Sequence, residues 1–116
     1  MFKTNDYWEE EFIEYKDKNL DTIYFDDCTF VKCDFSKSIF SSCKFTECKF
    51  INCDLSLSVL KNCVFNDVTF EKQGAIGGSH SGVVYYNNVV FLGDGNLYGD
   101  NNFKSLIFSP SKTYTL

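Results

Sequence analysis

Large apolar residues recur every five positions through the first part of the chain. The series runs Leu20, Phe25, Phe30, Phe35, Phe40, Phe45, Phe50, Leu55, Leu60, Phe65 and Phe70, and Tyr15 fits the same register. A period of five matches neither a helix nor a flat strand. On a helix these side chains would point in every direction, and on a straight strand they would alternate between two faces. The chain can bury all of them if it turns by about 90° after each five-residue step.

From Phe25 onward, a second inward position precedes each large residue by two. It is always small or apolar: Ile23, Cys28, Cys33, Ser38, Cys43, Cys48, Cys53, Ser58, Cys63 and Val68. Residues two apart in an extended segment point the same way. Each five-residue face is therefore predicted to send one small and one large side chain inward, and to expose its three remaining, mostly polar positions.

A period of 20 residues is also visible. Residues 34–53 and 54–73 are identical at several aligned positions: Asp34/Asp54, Ser36/Ser56, Ser38/Ser58, Cys43/Cys63, Phe45/Phe65 and Phe50/Phe70. Four faces of five residues make one closed square coil. The pattern therefore predicts about three stacked coils over residues 14–73.

These segments resemble the pentapeptide-repeat proteins. The family consensus is Ala, Asp or Asn, Leu and two variable residues, with Phe allowed for Leu and Cys or Ser for Ala. Cys33-Asp34-Phe35-Ser36-Lys37 and Cys53-Asp54-Leu55-Ser56-Leu57 are similar to it. The resemblance covers about half of the chain. It implies an all-β fold, a right-handed quadrilateral β-helix, and a family that includes DNA gyrase inhibitors imitating duplex DNA as well as bacterial interaction proteins.

Both ends of the repeat region are expected to be capped, because a solenoid otherwise exposes its core. Residues 1–13 form the predicted N-terminal cap, in which Asn5 or Asp6 begins a helical turn and Tyr7, Trp8 and Phe12 cover the first coil. Residues 74–116 contain all seven Gly. Strands predicted at 83–86 and 89–92, with a turn between them, make this segment a β-hairpin-like C-terminal cap or a dimerisation tail.

The chemically reactive residues favour a protein that is not an enzyme. All six Cys lie between positions 28 and 63 without a Cys-x-x-Cys pair, so they are interpreted as buried free thiols. Ser79-His80-Ser81 lacks a third catalytic partner, and His80 is interpreted as a loop residue. The single Gly-Asp-rich segment at 93–100 is interpreted as a turn rather than a Ca²⁺ site. No catalytic residue, metal or cofactor is predicted.

The charge argues against direct nucleic-acid binding. The chain has 16 acidic residues and 11 Lys, no Arg, and a net charge of −5. Arginine is the usual residue for phosphate and base contacts. There is no apolar run of about 18–20 residues that would cross a membrane, and the first residues lack the apolar stretch of a signal peptide. A cytoplasmic location is expected.

The acidic residues provide the candidate binding site. A repeat of 20 places Asp27, Glu47 and Asp67 in one outward column, and Glu14, Asp34 and Asp54 in a second. Stacked like charges are mildly destabilising, which suggests a role for the first column in binding.

Two functions follow from this pattern. The first is a small inhibitor of phage or mobile-element type, such as an anti-CRISPR protein or a topoisomerase inhibitor, that occupies a basic nucleic-acid-binding surface of a partner protein. The alternative is an assembly module that forms a homodimer through its tail or coil ends.

Overall fold

The chain folds into a parallel β-solenoid of about four turns. The structure, a computed structural model, describes residues 2–71, 76–81, 84–92 and 106–108. Each complete coil has four faces, numbered 1 to 4 in chain order, and three of them are parallel sheets. The predicted all-β solenoid is confirmed.

Each sheet collects one strand from every coil. Face 1 contains β1 (Asp6–Trp8), β4 (Tyr24–Asp26), β7 (Lys44–Thr46), β10 (Val64–Asn66), β13 (Val84–Asn87) and β15 (Leu106–Phe108). Face 2 contains β2 (Glu11–Ile13), β5 (Thr29–Val31), β8 (Lys49–Ile51), β11 (Thr69–Glu71) and β14 (Val90–Leu92). Face 4 contains β3 (Asn19–Asp21), β6 (Ile39–Ser41), β9 (Leu55–Lys61) and β12 (Ile76–Ser81). Face 3 is held by bridges from Lys16 to Asp34 and from Asp34 to Asp54, and by the start of β9 against β12.

The register follows the 20-residue repeat except at the ends. Phe25 pairs with Phe45. In the first coil Tyr7 pairs with Phe25, 18 positions later, whereas Leu20 pairs with Phe40, 20 positions later. The first coil is therefore two residues shorter than the second, at the corner between face 3 and face 4.

The short corner moves Tyr15 out of its expected place. Lys16 forms a bridge with Asp34, so the preceding residue, Tyr15, aligns with Cys33 rather than with Phe35. The register predicted for Tyr15 from the period of five is therefore wrong. Its ring instead packs at the end of the core, 5.1 Å from the ring of Phe12 between centroids.

The inward-facing large residues form the core. The ten predicted core positions from Phe25 to Phe70 are each at most 1% exposed. On face 1 the rings of Phe25, Phe45, Phe65 and Tyr86 stack at 5.0 Å between successive centroids, with interplanar angles of 8°, 6° and 3°. This spacing follows from the distance between neighbouring strands, roughly 4.8 Å.

The corners of the square are made by single residues in the left-handed region. Apart from the short corner of the first coil, the described residue two positions after each inward large residue has φ between 51° and 57°. At most of these residues the N–H donates to a carbonyl in the next coil, as in Asp27 N to Thr46 O at 2.9 Å and Glu47 N to Asn66 O at 2.9 Å. The backbone thus turns from one face to the next and keeps this hydrogen bond.

The N-terminal cap differs from the sequence prediction. Residues 6–13 contain β1 and β2 and add a coil, so the helical turn expected at Asn5 or Asp6 is wrong. Tyr7 and Phe12 continue the inward columns of faces 1 and 2, whereas Trp8 is exposed and does not cover the first coil. The ring that closes this end is Phe2, which lies 5.2 Å from both Phe12 and Phe25 between centroids.

The C-terminal segment continues the coils. The strands expected at 83–86 and 89–92 correspond to β13 and β14. They pair in parallel with β10 and β11, not with each other, so the hairpin between them is wrong. The domain boundary near residue 73, the segment 93–100 and most of 101–116 lie outside the described residues, and the role of that tail stays a prediction. No helix long and apolar enough to span a bilayer occurs in the described part of the chain.

Candidate binding surfaces

The corner between faces 1 and 2 carries a carboxylate in each of four successive coils. We call Glu9, Asp27, Glu47 and Asp67 the acidic corner. Each directly follows a residue of a paired face 1 strand, and all four are exposed. In the next coil the column continues with Asn88, whose Nδ2 donates to Asp67 Oδ1 at 3.0 Å. The structure therefore brings the predicted column of Asp27, Glu47 and Asp67 together.

The backbone does not require acids at this corner. Asp and Asn adopt positive φ more readily than most residues, but the other corners have the same φ with different side chains. Those corners carry Thr22, Ser42 and Asn62; Glu14, Lys32 and Asn52; and Lys37 and Leu57. Among the described residues, only the acidic corner has a carboxylate in four successive coils.

The second predicted column loses Glu14, because the short first coil aligns Ile13 with Val31 and so places Glu14 level with Lys32. Asp34 and Asp54 remain in one column and have a local structural role. Asp34 Oδ1 accepts hydrogen bonds from Ser36 N at 3.0 Å and Ser36 Oγ at 2.6 Å. Asp54 Oδ1 accepts the same pair from Ser56 at 2.9 and 2.6 Å. The bonds from Ser36, with the nearby Lys18 ammonium, hold the pKa of Asp34 below its usual range. We call Asp34 and Asp54 the serine-bonded column.

The charges are unevenly distributed around the solenoid. The acidic corner has four carboxylates, and the outward residues of face 1 add those of Asp6 and Asp26. Against these six carboxylates, the described strands of face 1 have the single ammonium of Lys44. Faces 3 and 4 with the corner between them are balanced. They carry Lys16, Lys18, Lys37 and Lys61 against Asp17, Asp21, Asp34 and Asp54. One side of the solenoid thus accounts for most of the excess negative charge of the described residues.

Glu9 was not found by the sequence repeat. Because the first coil is two residues short, an alignment by 20 places Glu9 opposite Thr29 instead of Asp27. The available signal was the aromatic spacing, since Tyr7 and Phe12 lie 18 positions before Phe25 and Phe30. Aligning the first coil on these rings places Glu9 on the acidic corner.

The cysteines belong to the core. All six are buried and carry free thiols. Each Sγ lies 3.3–3.6 Å from the carbonyl oxygen of an inward large residue in the preceding coil, as in Cys53 to Phe30 O and Cys63 to Phe40 O. Burial raises the pKa of Cys48 to about 12, and contact with the Cys63 thiol together with burial raises the pKa of Cys43. The six buried thiols therefore serve to pack the core.

The remaining candidate reactive residues are those of the Ser-His-Ser segment and any group that could hold a metal ion. Ser79, His80 and Ser81 lie on β12, which pairs with β9, so the loop assigned to His80 is wrong. Among the residues that the structure describes, no group of three or more His, Cys, Asp or Glu is arranged to hold a metal ion.

Comparisons with known proteins identify the family. The chain is similar in structure to QnrB1, a plasmid-mediated fluoroquinolone resistance protein, with a TM-score of 0.54 and 20% sequence identity over 72% of this chain. The match spans 54% of the QnrB1 chain, so this chain corresponds to about half of that protein. No curated protein matches in sequence. The family model of the pentapeptide repeat region matches residues 23–91, more than half of the chain, and this protein therefore belongs to the pentapeptide-repeat family.

Proposed function

We propose that this protein is a non-catalytic binding module whose acidic corner docks on a positively charged surface of a partner protein. The observation that carries the proposal is the unbroken row of Glu9, Asp27, Glu47 and Asp67 at a corner whose backbone accepts other side chains. Like charges directly opposite each other on adjacent strands are mildly destabilising. A binding role accounts for keeping them in register.

The spacing of the row suits a partner that binds nucleic acid. Stacked coils place one carboxylate about every 4.8 Å, so four of them span roughly 14 Å. One strand of a duplex carries a charge about every 3.4 Å of axis, or roughly four over that length. The acidic corner therefore approaches the charge density of a single strand, but not that of a whole duplex.

More specifically, we propose that the protein is an inhibitor that occupies a basic nucleic-acid-binding surface of an enzyme. A topoisomerase or a CRISPR effector has such a surface, and a small phage or mobile-element protein of this charge suits either. The fold shared with a fluoroquinolone resistance protein is compatible with binding to another protein. Because this chain spans only about half of that protein, its partner is to be found by experiment.

Assembly with a second copy is the alternative. Strands β1, β2 and β3 lie at the edges of their sheets, each with one side unpaired within the described residues. An open strand edge is a template for another chain, so coil ends or the tail are the surfaces through which a homodimer would form. Salt distinguishes the two proposals, because screening weakens a contact between exposed charges but not an edge-to-edge contact.

The proposal is tested by capture from host lysate with three immobilised baits. They are the parent chain, a corner variant (Asp27→Asn, Glu47→Gln, Asp67→Asn) and a scattered variant (Glu14→Gln, Asp21→Asn, Glu71→Gln). The two variants remove the same charge from different columns. We expect the parent and the scattered variant to capture a common protein that high salt releases, and the corner variant to lose it. Equal capture by all three baits contradicts the proposal.

A further inference from the structure

A shallow depression lies on the outer surface of face 1, next to the acidic corner. Its volume is about 210 Å³, and it spans β1, β4 and β7. The outward side chains around it are Asp6, Trp8, Tyr24, Asp26, Lys44 and Thr46. Neither the core nor the acidic corner explains why two large aromatic side chains are exposed here.

Aromatic and acidic side chains alternate around the depression. Asp6 pairs with Tyr24, and Trp8 pairs with Asp26. Each ring therefore has a carboxylate on the neighbouring strand, roughly 5 Å away between Cβ atoms, and the two rings lie on one diagonal. Trp8 is 66% exposed and Tyr24 is 50% exposed, so both rings are accessible to a ligand.

We infer that this depression receives the guanidinium group of an arginine side chain on the partner protein. An aromatic face attracts a cation, and a carboxylate accepts hydrogen bonds from it. A planar guanidinium does both at once, because it stacks on a ring while its edge N–H groups point to a carboxylate. A lysine ammonium lacks the flat face and the fork of donors.

The position of the depression agrees with a basic partner. Trp8 directly precedes Glu9, and Asp26 directly precedes Asp27, so the depression borders the acidic corner. The inference rests on the proposed function for the class of partner, whereas cation binding at the depression does not require it. In this arrangement the acidic corner attracts the partner surface and the depression anchors one of its side chains.

Lys44 supplies an internal check on the inference. It lines the depression and pairs with Tyr24. Within the described part of the chain, one ion pair joins a lysine to a carboxylate, that of Lys18 with Asp34. Lys44 therefore does not neutralise the carboxylates of the depression by direct contact. Its ammonium repels an incoming guanidinium. Removing that charge should strengthen binding, whereas removing a carboxylate or a ring should weaken it.

Fluorescence of Trp8 measures binding directly, because Trp8 is the only tryptophan in the chain. The full chain is titrated at low salt with a blocked Gly-Arg-Gly peptide and with the same peptide containing citrulline, the uncharged analogue of arginine. A lysine peptide is the third ligand. We expect a saturable fluorescence change with the arginine peptide, a weaker one with the lysine peptide, and none with the citrulline peptide.

Variants locate the response within the depression. Asp26→Asn and Tyr24→Ala should each lower the association constant of the arginine peptide about two- to fivefold, the range of an exposed cation–π contact. Lys44→Met should raise it by about twofold or more, because a like charge is removed.

Two control variants should leave the association constant unchanged. Tyr85→Ala removes an exposed ring from the outward column that also contains Tyr24 and Lys44. Tyr85 lies two strands beyond Lys44 and does not line the depression. Asp21→Asn removes an exposed carboxylate from face 4. A loss of response in either control equal to that of Tyr24→Ala or Asp26→Asn would show that the peptide does not bind at the depression.

Two further results would overturn the inference. Equal responses to the arginine and citrulline peptides would show that no cation is recognised. A response to free arginine as strong as that to the peptide would show a small-molecule site and not a docking surface.

The corner variant separates this inference from the proposed function. If the corner variant keeps the arginine response but loses the captured partner, both stand. If the citrulline peptide binds equally while capture still depends on the acidic corner, only the arginine anchor fails.

Discussion

From Ile23 to Phe70 the coils have the same types of inward-facing residue, whereas their corners carry different ones. Inside, a ring or Leu follows a small residue on each face, because neighbouring strands bring equivalent side chains into contact. At the corners the backbone has nearly the same φ, yet the side chains are apolar, basic or acidic, as at Leu57, Lys32 and Asp27. The interior is therefore determined by the fold, and the corners are free to carry side chains that serve binding.

The largest expected effect is in the interior. Phe45 is fully buried between Phe25 and Phe65, with 5.0 Å between ring centroids on both sides. Phe45→Ala should lower the free energy of unfolding by about 3–5 kcal/mol in urea denaturation. Tyr24→Ala, which removes an exposed ring of the same face, should cost less than about 1 kcal/mol. A loss below about 1 kcal/mol for Phe45→Ala would contradict the stacked core.

The cysteines extend this comparison to reactivity. Because all six thiols are buried, a thiol reagent should modify them only as the coils open. We expect slow labelling of the native chain and rapid labelling of all six in denaturant, followed by absorbance of the released reporter. Several thiols that react at once without denaturant would show that the coils are open.

A smaller difference in the free energy of unfolding is expected between variants of the two acidic columns. Asp54→Ala removes two hydrogen bonds from Ser56 and should cost about 1–2 kcal/mol. Glu47→Ala removes the same charge at the acidic corner and should change stability by less than about 0.5 kcal/mol. Urea denaturation of both variants measures the difference, and equal costs would mean that the two columns have the same role.

Acid should remove the contribution of Asp34 to stability only at low pH. The Ser36 hydrogen bonds lower the pKa of Asp34 in the folded state, so its contribution is complete above the unfolded-state pKa of about 3.9. That contribution is lost as the pH falls through the lower folded-state pKa. The side chain is 41% exposed, so solvent screening keeps the effect small. Denaturation of the parent and of Asp34→Ala should therefore differ most near neutral pH, and a difference that does not shrink in acid would contradict this role.

The remaining expected change is a small gain in stability at the acidic corner itself. The corner variant relieves repulsion between adjacent strands and should stabilise the fold by up to about 1 kcal/mol at low salt, and by less at high salt. The scattered variant should show no comparable gain. Denaturation of both variants at two salt concentrations measures this, and a clear loss of stability in the corner variant would mean that the carboxylates support the fold.

The sequence predicted the parts of the molecule that repeat. A period of five located the buried rings, and a period of 20 placed Asp27, Glu47 and Asp67 in one column. The ends could not be predicted in this way, because Phe2 closes the core without belonging to any repeat and the first coil is two residues short. The role of Asp34 was readable from its Asp-x-Ser spacing, since an Asp side chain often accepts a hydrogen bond from the backbone two residues later.

The most direct test of the account is the affinity of the captured partner for the parent, the corner variant and the scattered variant at low and high salt. We predict that the parent and the scattered variant bind with similar affinity that falls as salt rises, and that the corner variant binds more weakly, mainly through slower association. Equal affinity for the corner and scattered variants would contradict a specific role for the acidic corner. Affinity of the parent that does not depend on salt would contradict electrostatic docking altogether.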